Sequence, residues 1–214
     1  MRALRPLFFI VMTLGSAAIT YSSLVYFDAE ELPPFMLEKL PLPREELWLG
    51  ALKVHVSAAA FALPACLLLL SRTLLKRFPK FHRWLGRING GVTLFALVPS
   101  GFYLSVFAKG GSPSTLGFMF SGTIVMFSMT RAIAAARAKD LVTHQRFVMH
   151  VVAQMAVAVI SRAMLFASDF AGLDSDRAYI ASLWIPVIGC AAFVELISPR
   201  RHHVPLARPL VARV

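Results

Sequence analysis

The sequence predicts an all-α fold, an integral membrane bundle of six transmembrane helices with both the N and C termini in the cytoplasm. Three observations lead there. The 214 residues are 57% hydrophobic and only 15% charged, where ordinary soluble domains carry about 25% charge. The apolar residues gather into six long runs, each near the ~20 residues that cross roughly 30 Å of hydrocarbon. The basic residues fall between alternate runs, so one side of a six-span chain carries nearly all of the positive charge. The net charge of +11 is therefore read as topology. Its cations suit anionic lipid headgroups, each worth about 1 kcal/mol near the surface, and imply no nucleic-acid partner.

The spans lie at about 7–27, 47–71, 84–107, 115–137, 146–169 and 178–197, each judged by apolar length. They leave one membrane domain over 1–214, with a connection at 28–46 and a basic cytoplasmic tail at 199–214. Arg2 and Arg5 precede the first run as in a signal peptide. The apolar stretch continues to Phe27, too long for a usual signal core, which predicts an uncleaved anchor. The basic side holds Arg72, Lys76, Arg77, Lys80, Arg83 and Arg87, then Arg131, Arg137, Lys139 and Arg146, then Arg200, Arg201, Arg208 and Arg213. The other side holds Asp28, Glu30, Glu31, Glu38, Glu45, Glu46, Asp169, Asp174 and Asp176. Its first connection, rich in Pro and Leu, is expected to lie along the membrane surface. Helices two to five are expected to form the core, with helices one and six at its edge. Cys66 and Cys190 sit in apolar runs as buried thiols. Pro64, Pro99 and Pro186 predict kinks.

Ionisable groups within a membrane are expensive and mark functional candidates. Two polar layers emerge. The cytoplasmic layer contains His82, Arg87, Asn89, Arg131, His144 and His150; the periplasmic layer contains Lys53, His55 and Arg162. Arg162 stands about 27 Å above His144 at 1.5 Å per residue, at the depth of His55, so the two are expected within polar reach of each other or of one bound group. Arg162 has two simpler uses, pairing with Asp169 or snorkelling outward, as Lys53 would.

The cytoplasmic layer also suits a haem b, which needs two facing imidazoles and small residues against the macrocycle. His82, Gly86 and Gly90 share one helical face. His144 and His150 are about 240° apart around their helix, so only one can face His82. The metal ligands would then be His82 with either His150 or His144, and Arg83, Arg87 and Arg146 would meet the propionates. The plain alternatives are interfacial histidines that meet headgroups, and glycines that serve helix packing. Glu195 is expected to pair with Arg200 or Arg201.

The order His55 with Pro64, then Phe81-His82-Arg83-Trp84-Leu85-Gly86-Arg87, Gly110-Gly111, Ala136-Arg137-Ala138-Lys139-Asp140, His144-Gln145-Arg146 and Arg162 resembles a family of bacterial membrane proteins, domain of unknown function 2306. The resemblance spans about residues 50–165. It implies that His55, His82, Arg87, His144 and Arg162 form a shared pattern, and it lends no activity. Where the family commonly reads H-x-x-W-M-x-R, this chain has His144, Phe147, Val148 and His150, placing histidine where arginine is usual.

The sequence contains no phosphate-binding Gly loop, no HExxH, no GxSxG and no buried carboxylate pair. Three function classes remain for a protein expected in the bacterial inner membrane. The first is an accessory subunit of a larger respiratory or photosynthetic complex. The second is a haem b or quinone-linked electron carrier. The third is a transporter, which the lack of repeat symmetry and of mid-membrane acids disfavours.

Overall fold

The computed structural model describes residues 4–27, 42 and 44–198. Arg2, Asp28, Glu30, Glu31 and Glu38, the expected course of the first connection along the membrane and the basic tail from Pro199 lie outside the described residues. Six helices are long and apolar enough to cross a membrane. We label them α1 (Leu4–Ser22), α2 (Glu45–Leu69), α3 (Pro79–Ser105), α4 (Ser112–Arg137), α5 (Leu141–Phe170) and α6 (Ser175–Ile197).

Their ends follow from local chemistry. Glu45 and Glu46 occupy the first turn of α2, where the helix dipole favours negative charge. Ser71 caps a short helix, Arg72–Arg77, by accepting from the Leu74 N–H at 3.3 Å. Pro79 then opens α3, five residues before the apolar run at Trp84, because proline's missing N–H costs nothing at a helix start. Asp140 caps α5 through the Thr143 N–H at 3.2 Å, and Asp174 caps α6 through the Arg177 N–H at 2.8 Å. Hydropathy alone places the starts of α3 and α5 several residues late, since their first turns are polar. His82 and His144 are therefore inside helices.

α3 is not uniform. Residues Thr93–Leu97 form a π turn immediately before Pro99. A proline cannot donate to the carbonyl four residues back and its ring crowds that carbonyl. The wider turn accommodates both, which is where the expected kink at Pro99 is taken up.

The longest helix, α5 with 30 residues, extends about 45 Å and is the axis of the bundle. Val151, Val152, Met155 and Ala156 pack against Ala62, Leu63 and Cys66 of α2, Met12 of α1 and Met129 of α4. α6 packs along both α4 and α5, with Val187 and Val194 at 0% and 1% exposure. Gly117 of α4 makes this possible, since a Cβ there would lie 2.7 Å from Leu183. Gly15 does the same for α1, where a Cβ would run into Val159 of α5. Phe95, Phe166, Ile185 and Leu196 project outward from the bundle, as a lipid-facing surface requires.

The alternating helix order places Glu45, Glu46, Asp169, Asp174 and Asp176 at one end of the bundle, and Arg72, Lys76, Arg77, Lys80, Arg137 and Lys139 at the other. We call these the acidic and basic ends.

Candidate functional site

α5 brings two groups of polar residues to the basic end. Arg146 and His150 are four residues apart and so share a helix face. Both reach Glu195 near the end of α6. Arg146 Nη2 donates to one carboxylate oxygen at 2.6 Å, and His150 Nε2 donates to the other at 2.9 Å. The sequence-based pairing of Glu195 with Arg200 or Arg201 falls on residues outside the described ones; within the described residues both carboxylate oxygens are engaged across the α5–α6 interface. The signal for it was present: Glu195 is the acid of α6 at the depth where Arg146 and His150 start α5.

The bridge closes one end of a cleft of about 620 Å³ between α4, α5 and α6. Its walls are Phe120, Ile124, Phe127, Phe147, Trp184 and Ile188, and its polar lining includes His150, Glu195 and Ser128. Phe120 and Trp184 are stacked at 6.0 Å between ring centroids, and Trp184 is fixed by donating its indole N–H to Pro113 O at 3.0 Å. Phe147 meets Phe127 edge-on at 5.7 Å and carries Arg131 over its ring at 5.6 Å. A long aromatic and aliphatic groove with one charged end fits an amphiphile. Below it, Gln154 ties the three helices together, accepting from Ser121 Oγ at 2.8 Å and donating to Val187 O at 3.0 Å.

Because a carboxylate only accepts, His150 Nε2 must carry the proton of that bond. In the neutral ring Nδ1 is then an acceptor. His150 is 7% exposed and turned toward Glu195. His144 is the histidine of α5 that lies within electrostatic range of His82. Its Nδ1 donates to Ala132 O at 2.9 Å, which leaves Nε2 with the lone pair. Arg87 is exposed at the basic end. Gly90 serves helix packing: a Cβ there would stand 3.0 Å from Ile133 of α4, and one at Gly86 would stand 4.0 Å from Leu69.

At the acidic end His55 of α2 is half-buried against α3. Its Nδ1 donates to Leu97 O at 3.1 Å and lies 3.2 Å from Ser100 Oγ. Gly101 admits the ring, since a Cβ there would lie 3.0 Å from its Cε1. Arg162 is within electrostatic range of His55, Tyr26 and Tyr179, while its Nη1 donates to Ala158 O of its own helix at 3.1 Å. The hydrogen bonds described for Arg162 and His55 run to other groups, not to each other. Missed by sequence reasoning were the π turn that presents Leu97 O, and the buried Gln154.

A family model for a predicted membrane protein (DUF2306) matches residues 52–198. The chain belongs to this family. The match takes in α2 to α6 and all of the polar residues described, including Glu195, and so reaches beyond the pattern ending at Arg162. No curated protein and no solved structure matches the chain.

Proposed function

We propose that this DUF2306 protein is a quinone-binding accessory subunit of a larger electron-transfer complex in the bacterial inner membrane, oriented with its basic end and both termini in the cytoplasm. The observation that carries this reading is the His150–Glu195–Arg146 bridge at the polar end of an aromatic cleft between α4, α5 and α6. Membrane ligand sites combine apolar walls with a few placed polar groups. A flat ring with two polar oxygens and an isoprenoid tail matches that combination.

The proton inventory gives the site a direction. His150 Nδ1, the acceptor of the neutral imidazole, is suited to receive a hydrogen bond from a quinol hydroxyl. Glu195, hydrogen bonded at 2.9 Å through His150 Nε2, balances the positive charge when the ring gains that proton. Arg146 holds the carboxylate in place. The basic residues of the connections favour cytoplasmic location by the positive-inside rule.

Trp184 provides the assay. Short-tailed ubiquinone and menaquinone analogues should quench its fluorescence saturably in nanodiscs, and Trp184→Phe should remove the saturable part. His150→Phe, which loses one hydrogen bond of about 1.4 kcal/mol, should weaken binding about tenfold. Quenching that is linear in quinone and equal in wild type and His150→Phe would count against the site.

A further inference from the structure

A second polar feature runs through the interior, away from the cleft. His82, Gly86, Asn89 and Thr93 follow spacings of four, three and four, and so lie along one face of α3. Asn89 is 2% exposed and Thr93 is fully buried at 0%. Asn89 Nδ2 donates to Cys66 Sγ of α2 at 3.2 Å. Its Oδ1, the Thr93 hydroxyl and the His82 Nδ1 are buried and have no hydrogen-bond partner among the described residues. One turn further, the π turn that begins at Thr93 presents Leu97 O to His55.

Three unsatisfied polar atoms in sequence along one buried helix face require partners, since an unpaired buried polar group costs about 1–3 kcal/mol. Hydrophobic neighbours cannot supply them. Water can, where two or more polar groups converge. Asn89 and Thr93 are separated by about 6 Å along the axis and His82 and Asn89 by about 10 Å, spans that one and two or three waters bridge. The π turn has a matching role, because widened turns in helices recur at functional sites.

We propose that α2 and α3 enclose a file of water from His82 at the basic end, past Asn89 and Thr93, to His55 in the opposite half, and that this file conducts protons. The Asn89 amide and the Thr93 hydroxyl hold the water by hydrogen bonds and do not titrate. His55 is the ionisable group at the far end. The charges facing it are Arg162 of α5 within electrostatic range, while His82 faces Arg83 of its own helix and His144 of α5. The path does not involve Glu195, His150 or the cleft, so it stands or falls apart from quinone binding.

Proteoliposomes containing the full chain and luminal pyranine, with a potassium gradient and valinomycin, test it. Wild type should acidify or alkalinise the lumen several-fold faster than protein-free liposomes. Thr93→Val, isosteric but without the hydroxyl, should lose most of that excess, Thr93→Ser should restore it, and His55→Gln should lower it. Thermal melting of each variant reports folding. Wild type no faster than protein-free liposomes would overturn the proposal whether or not the variants fold, and a folded Thr93→Val as fast as wild type would overturn it equally.

Discussion

The two polar regions of the bundle differ in how their groups are satisfied. In the cleft, Glu195 accepts from both Arg146 Nη2 and His150 Nε2, although Arg146 Nε is buried without a partner among the described residues, and the apolar walls open outward. Between α2 and α3 the polar atoms are enclosed, and Asn89 and Thr93 are left with unmet valence. A closed bridge in an open groove is suited to recognise a molecule that arrives from the membrane. An open set of donors and acceptors in a closed interior is suited to water. The same helix bundle thus carries two kinds of polar region, distinguished by whether their groups face an open groove or a closed interior.

The largest expected effect comes from the cleft. Glu195→Leu leaves the buried His150 Nε2 without its acceptor, at about 1–3 kcal/mol, and breaks a partly exposed pair with Arg146 worth about 1 kcal/mol or less. The side chains are partly exposed at the bundle surface, 35% for Arg146 and 42% for Glu195, so most of the loss comes from His150. A drop of several degrees in the melting temperature of the detergent-purified protein, with Glu195→Gln intermediate, is expected; unchanged melting in both would mean that the bridge does not form.

Packing comes next. Gly117→Leu must displace Leu183 and Trp184, and overpacking of this kind costs about 1–3 kcal/mol. It should also deform the cleft wall, reducing quinone analogue binding more than Gly15→Leu does. Gly15→Leu meets Val159 on the far side of α5 and should lower stability while leaving the cleft intact. Equal binding losses in the two variants would erase the distinction between the cleft and the rest of the bundle.

Asp140→Ala removes the cap of α5, a loss of about 1 kcal/mol, measurable as faster exchange of the first-turn amides that include His144. The smallest effect belongs to Arg200→Ala with Arg201→Ala. Because both oxygens of Glu195 are already engaged, the double variant should leave melting within about 0.5 kcal/mol of wild type; a loss equal to that of Glu195→Leu would restore the pairing that the sequence suggested.

How much was legible in the sequence depended on whether the signal was local. Six spans are fixed by apolar length, and the starts of α3 and α5 differed where a helix-opening proline, Pro79, or a cap, Asp140, extends the helix into polar residues. The common depth of His55 and Arg162 follows from rise per residue. Which way a side chain turns does not follow from depth. His150 faces Glu195 because α6 lies against α5, and His144 bonds Ala132 O because α4 does; the close approach of α4 and α6 uses Gly117, whose role in sequence is indistinguishable from any other small residue in a membrane helix. The π turn was half legible: Pro99 signals a disturbed ladder, but not that the disturbance would present Leu97 O to His55.

The central claim is that the cleft of α4, α5 and α6 holds a quinone. The direct measurement is mass spectrometry of the organic extract from protein purified in native lipid nanodiscs, with quinone and phospholipid quantified per protein. The expected result is quinone near one per chain, enriched over the surrounding membrane in wild type and reduced to the bulk ratio in Glu195→Leu. A quinone content equal to bulk membrane in both proteins, or a phospholipid enriched in its place, would contradict the account.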